Sequence, residues 1–211
     1  MPTTSWASTL ASIAIQLPVF IIAFSFHEFS HAVVAYLLGD NTGKRQGRLT
    51  LNPLSHLDPT GLICLLIFHF GWANPVPFNQ HNFRHPRFYT ILVALAGPVS
   101  NIVLAILALL GIKLLGCFAL TPNIMLTCTQ LLASLAQVNI MLATFNIIPI
   151  PPLDGSHILT TFLIDRWPHV LGWIYRYSFF ILLLMFIFPT TNHLLGKAIN
   201  LVYTALYSLV F

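Results

Sequence analysis

The sequence predicts an all-α polytopic membrane protein, with about five to six transmembrane helices and short strand-like and re-entrant segments near its candidate site. Three observations carry this. Of the 211 residues, 57% are hydrophobic and 7% are charged, whereas a soluble domain carries about 25% charged residues. Mean hydropathy is +0.83, a value that makes lipid the fitting solvent. Several uncharged runs also reach the roughly 20 residues that a helix needs to cross the hydrocarbon core. The whole chain, 1–211, reads as one membrane-embedded domain, with a core of about 8–157 and C-terminal helices over about 158–211.

The first helix is predicted from about Ser8 to Leu38, with Pro18 inside it and Gly39 as its C-cap. No Lys or Arg precedes Lys44. The basic n-region and cleavage site of a signal peptide are both missing, so this segment is expected to stay in the mature protein. "GDNTGKRQG" is a turn-rich loop. "RLTLNPLSHLDPTG" alternates leucines with polar residues and prolines, which predicts short extended strands. "GLICLLIFHFG", Gly61 to Gly71, is apolar but too short to cross and reads as re-entrant. "WANPVPFNQHNFRHPR" is a Pro/Asn-rich loop. Spans follow over about Tyr89 to Leu115 and Asn123 to Phe145. "NIIPIPPLDG" cannot be regular helix, because its prolines remove donors and fix φ. "SHILTTFLIDRW" predicts a short amphipathic helix, and Trp173 to Phe188 and Leu194 to Phe211 predict two further spans.

Five of the nine basic residues, Lys44, Arg45, Arg48, Arg84 and Arg87, lie between the first helix and the span beginning near Tyr89. The positive-inside rule makes this side cytoplasmic. Two further crossings return "NIIPIPPLDG" to the same side. The basic residues form no stripe and no aromatic interleaving, which gives nucleic-acid binding poor support, and no nucleic-acid partner is expected. Cys64, Cys117 and Cys128 show no CxxC spacing, and Cys117 and Cys128 flank one connection.

Within the first helix, "FSFHEFSHAVVAYLLG" holds the only glutamate of the chain between two histidines. His27 and His31 are four residues apart, so their imidazoles leave one helix face and can share one metal ion. Glu28 lies about 100° around the axis, beside the ligands. That position suits a general base taking a proton from an attacking water. Composition alone yields about 0.002 H-E-x-x-H matches in such a chain, and ionisable groups in membrane segments are costly and usually functional. A third ligand is needed. The candidates are Asp154, Asp58, Asp40, His56, His81, His85 and His157. Asp154 is preferred, since it lies on the proline-forced irregular segment on the metal's side of the membrane. Asp40 reads as a loop or capping residue just past the helix end, and Asp165 as an ion pair with its neighbour Arg166. Asn146 opens the same irregular segment. Its amide either satisfies the broken backbone or donates to a substrate carbonyl or oxyanion.

Here the residues resemble the site-2 proteases, intramembrane zinc metallopeptidases, in the compact bacterial type without a PDZ domain. "HEFSH" is similar to the zinc-binding helix of that family. "HLDPTG", "GWANPVPFN" and "LAGPVSN" are similar to its loop signatures and the start of its next span, and "NIIPIPPLDG" to its second catalytic signature. The resemblance covers about Phe24 to His157. It implies one Zn2+ per chain held by His27, His31 and Asp154, with Glu28 as catalytic base and Asn146 near the scissile bond. It also implies transmembrane protein substrates as partners beside the lipid bilayer, and a multi-pass protein of the cell (inner) membrane with its active site towards the cytoplasm. The proline-rich run Pro75 to Phe78 reads either as a structural loop or as an edge that holds an unwound substrate by backbone pairing.

Two other classes compete. "HEFSH" and "HNFRH" (His81 to His85) both fit the histidine boxes of membrane di-iron desaturases, but no adjacent histidine pair occurs. A non-proteolytic metal-binding membrane protein, a transporter or scaffold, would not require a base such as Glu28 beside the ligands.

Overall fold

The structure is a computed structural model, and it describes residues 6–61 and 74–211. Helix α1, Trp6–Leu37, runs 32 residues with Pro18 inside it. It ends as the sequence predicts. Gly39 takes φ +104°, a conformation that favours glycine, and Asp40 N then bonds back to Ala35 O at 2.9 Å. A single helical turn, α2 (Thr42–Arg45), follows.

The predicted strand-like run is extended only in part. Leu57 forms an isolated bridge, and no sheet occurs among the described residues. Pro53–Ser55 is instead a 3-10 turn, with the Asn52 side chain accepting from Leu54 N at 3.1 Å. This local bond competes with ladder formation, and Pro53 has no N–H to offer a partner strand. From residue 62 onward the re-entrant segment lies outside the described residues. A second 3-10 turn, Gln80–Asn82, precedes helix α3, Pro86–Leu115, which has proline at its first position and Pro98 within. Helix α4 spans Pro122–Asn146, and α5 is short, Gly155–Leu163. Helices α6, Pro168–Ile187, and α7, Pro189–Val210, complete the chain. Prolines begin α3, α4, α6 and α7, where a missing N–H costs nothing.

Four helices among the described residues are long and apolar enough to cross a membrane: α1 from Ile15, α3, α4 and α6. The sequence pattern predicts five to six. The predicted span Leu194 to Phe211 falls on α7, which is long enough but opens on Thr190, Thr191, Asn192 and His193 and carries Lys197 and Asn200. The apolar helices and their exposed Leu, Phe and Ile side chains make this a multi-pass membrane protein.

Helix α3 packs between α1 and α4, and α7 closes against α3 and α4. Alanines sit in these contacts opposite larger aliphatic side chains. Ala23 of α1 meets Val138 and Leu142 of α4, and Ala108 and Leu109 of α3 meet Ala136 and Val210. Small side chains let helix backbones approach where lipid removes the hydrophobic drive between them. Phe83, from the loop before α3, fills the space between Ala35 and Val93. Cys117 and Cys128 are unpaired thiols. Asp165 pairs with Arg87 rather than with its neighbour Arg166, because the α5–α6 corner lies against the start of α3; adjacent residues on a helix end point apart.

Candidate metal centre

Helix α1 presents His27 and His31 from one face, with ring centroids 4.7 Å apart. Their Nε2 atoms approach to 3.1 Å. Asp154 arrives from the far end of the "NIIPIPPLDG" segment, 127 and 123 residues on. Its Oδ2 lies 3.0 Å from His27 Nε2 and its Oδ1 3.3 Å from His31 Nε2. These are the residues that the spacing and the irregular segment single out, and among the described residues they form the one group of three such side chains close enough to share an ion.

Two glycines make the convergence possible. A Cβ on Gly97 of α3 would sit 2.5 Å from His27 Cε1 and from His31 Nε2, so the imidazoles lie directly against the α3 backbone. A Cβ on Gly155 would sit 2.1 Å from Ile147 O. Only glycine lets α5 begin against the turn that leaves α4, and that turn sets the position of Asp154. Asp154 stands at the N-cap of α5 yet makes no capping bond; its carboxylate is turned to the histidines instead.

The donor set fits a zinc ion. Ligands about 2.0–2.1 Å from a tetrahedral zinc stand about 3.3 Å apart, close to the 3.0–3.3 Å separations here. His27 Nδ1 is 2.6 Å from Asn101 Oδ1, and His31 Nδ1 is 2.7 Å from the Val93 carbonyl. Both partners accept, so both Nδ1 atoms carry a proton, which leaves the two Nε2 atoms, facing each other and a carboxylate, as the nitrogens available to a cation. Asp154 Oδ2 is buried with no hydrogen-bond donor. Three electron-rich atoms packed this closely need a cation between them.

Glu28 is buried beside this group, and its Oε2 accepts from Val76 N at 2.9 Å. Pro75 and Pro77 flank Val76, so this is the only N–H in that tripeptide. Asn146 ends α4, with Nδ2 donating to Leu142 O of its own helix at 3.1 Å.

The remaining third-ligand candidates do not join this group, although His157 lies beside Asp154 and His31. Asp40 organises the loops, accepting from Thr42 N, Asn79 N and Asn82 Nδ2 at 3.1, 2.7 and 2.7 Å. Asp58 accepts from Thr60 N and Gly61 N at 2.8 and 2.9 Å; the Thr60 side chain and these amides hold its carboxyl below the usual range. His56 is buried and donates from Nε2 to Thr50 O at 2.7 Å. His85 stacks edge-on with Tyr89, and His157 packs on Phe78. "HNFRH" thus contributes nothing to the centre. Sequence reasoning missed Gly97, Asn139 and the roles of Asn101 and the Val76 amide. The available signal was a pair of asparagines inside apolar spans, where an amide needs a buried partner.

A zinc-type donor set with a carboxylate at its side, enclosed by apolar helices, defines a membrane metallopeptidase. The chain belongs to peptidase family M50, the site-2 protease family: its residues 119–185 match the family model, and the curated relatives agree. It is 38% identical to "Putative zinc metalloprotease YwhC" of Bacillus subtilis (strain 168), over 85% of this chain and 83% of that protein. It is 31% identical to "Putative zinc metalloprotease Rip2" of Mycolicibacterium smegmatis and 32% identical to the Rip2 of Mycobacterium tuberculosis (strain ATCC 25618 / H37Rv), in each case over 82% of this chain and 66% of the relative. No solved structure matches the chain. The protein is a zinc metalloprotease.

Proposed function

We propose that the protein is an intramembrane endopeptidase that hydrolyses peptide bonds in or near transmembrane segments of other membrane proteins. In this reading His27, His31 and Asp154 hold the zinc and Glu28 is the general base. The observation that carries it is the placement of Glu28: a buried carboxylate one residue from a ligand, anchored on Oε2 to the Val76 amide, among helices that suit a bilayer. Zinc bound there would supply Lewis acidity towards a scissile carbonyl and promote deprotonation of water.

Glu28 receives the proton of the attacking water and returns it to the departing amine. The bond from Val76 holds one carboxylate oxygen, which leaves Oε1 for proton transfer. Asn146 Nδ2 spends one proton on Leu142 O, and its second is the donor for the carbonyl oxygen as charge develops there. Pro75 and Pro77 have no N–H, and Val76 gives its own to Glu28. The run Pro75 to Phe78 therefore offers an unwound substrate carbonyl acceptors. The five basic residues between α1 and α3 support a cell-membrane (inner-membrane) orientation with the site towards the cytoplasm.

Glu28→Gln tests the mechanism. Glutamine still accepts from Val76 N, so only the basicity is lost. Cleavage of a single-span reporter in proteoliposomes should fall by at least about 100-fold, with zinc still bound at one per chain. Normal cleavage by this variant would sink the mechanism.

A further inference from the structure

We infer that Asn139 and Asn101 form a positioning relay for the metal centre: two buried side-chain amides, on α4 and α3, that decide which ring nitrogen of His27 carries the proton. The inference rests on the proposed role of His27 as a ligand.

The relay has a direction, and its far end sets it. Asn139 Nδ2 lies 2.8 Å from the Leu135 carbonyl, which can only accept. That fixes the Asn139 amide with Oδ1 towards α3, where it accepts from Asn101 Nδ2 at 2.7 Å. The same Nδ2 faces the Ala23 carbonyl at 3.4 Å, again an acceptor. Asn101 Oδ1 is thereby turned to His27 Nδ1, 2.6 Å away. A ring nitrogen facing an oxygen this close must be a protonated one, so His27 Nδ1 holds its proton and Nε2, which faces Asp154, is the nitrogen left to bind a cation. Both asparagines are 0% exposed.

His31 needs no such device. Its Nδ1 meets the Val93 carbonyl of the α3 backbone at 2.7 Å, and a backbone carbonyl inside a helix cannot turn over. A side-chain amide can. If Asn101 reversed, its Nδ2 would donate to His27 Nδ1 and move the ring proton to Nε2, where a ligand must be bare. Asn139 prevents this through its bond with Asn101 rather than by bonding His27 itself.

The test reads the tautomer without metal. Zinc-free protein labelled with 15N-histidine reports which nitrogen of each ring is protonated, and His27→Ala identifies the His27 signals. Wild-type protein should show His27 protonated at Nδ1. Asn139→Leu should show a mixture and bind zinc about 10–100-fold more weakly in chelator competition, the usual cost of removing an outer partner of a metal-bound histidine. Adding Asn101→Asp to that variant should restore both, because either carboxylate oxygen accepts and no orienting donor is needed. A purely packing role for Asn139 would not be rescued this way. The relay is overturned if Asn139→Leu keeps the wild-type tautomer and zinc affinity, or if the double variant is as weak as the single one. If Asn139→Leu fails to fold, Asn101→Asp against Asn101→Leu decides: tight and weak zinc binding respectively support the relay, and equal binding overturns it. Wild-type zinc binding by His27→Ala would overturn the ligand assignment instead, so the two failures are distinguishable.

Discussion

Replacing Gly97 with alanine adds one methyl group at the point where α3 meets both imidazoles. Glycine within a helix costs about 1 kcal/mol relative to alanine, so helix propensity alone makes Gly97→Ala stabilising. The added Cβ, however, would lie 2.5 Å from His27 Cε1 and 2.5 Å from His31 Nε2. Ordinary carbon contacts begin near 3.5 Å, so the rings or the helix must give by about 1 Å. Such overpacking costs about 1–3 kcal/mol, which leaves global stability within about 2 kcal/mol of wild type. The centre has no such tolerance. Metal–ligand distances hold within about 0.2 Å, and a 1 Å misplacement at a reacting centre costs about 100-fold in rate. The expected result is a folded protein with zinc affinity reduced at least about 10-fold and reporter cleavage reduced about 100-fold. Zinc competition, thermal unfolding in detergent and cleavage in proteoliposomes read the three quantities separately. Gly172 of α6 is the control, since a Cβ there meets nothing within 4 Å. Gly172→Ala should gain about 0.5–1 kcal/mol and keep zinc and activity. Wild-type zinc affinity and turnover in Gly97→Ala would refute the close packing of the imidazoles on α3.

Asp154→Asn should weaken zinc binding by at least about 10-fold in chelator competition, because a neutral amide would replace the carboxylate proposed to hold the metal; unchanged metal content would place the third ligand elsewhere. Asn146→Leu should lower the turnover of a reporter by about 10²–10³-fold with zinc retained, and full activity would return Asn146 to its helix-end bond with Leu142. Asp40→Ala strands the amides of Asn79 and Asn82 and should cost about 1–3 kcal/mol, seen as a lower thermal midpoint. The pH dependence has a definite sign. Burial raises the Asp40 pKa, but the hydrogen bonds from Thr42, Asn82 and Asn79 outweigh it and hold the carboxyl below its ordinary value of 3.8. A depressed carboxyl stabilises fully above about pH 4 and loses that contribution as pH falls through its folded value. The gap in midpoint between wild type and Asp40→Ala should therefore be constant at neutral pH and shrink only below about pH 4.

Much of the centre was legible in the sequence because its chemistry is local. Helical periodicity sets His27 and His31 on one face wherever the helix lies. The three prolines of "NIIPIPPLDG" forbid a continued helix after Asn146, so a carboxylate on that segment had to be accounted for. Basic residues clustered in one connection set only an expected side of the membrane, and Gly39 marks the end of α1. Length and apolarity located α1, α3, α4 and α6 to within a few residues but also counted the more polar α7 as a span. The strand-like reading of Arg48 to Gly61 gave way to a 3-10 turn, since alternation of leucines cannot weigh a side-chain bond from Asn52 against a ladder.

Tertiary structure decided which polar groups answer each other across helices. Asn101 meets His27 from 74 residues away, and Asn139 meets Asn101 from 38; neither separation follows a period that one helix could encode. Gly97 and Gly155 matter for the atoms that crowd them, which belong to α1 and to the turn after α4. Arg87 reaches Asp165 only because α5 folds back to α3. The sequence alone determined the solvent, the helices, the paired histidines and a preferred carboxylate among several candidates. Only the packed helices determined how the rings are oriented, because a hydrogen bond between elements depends on their separation to within a few tenths of an ångström.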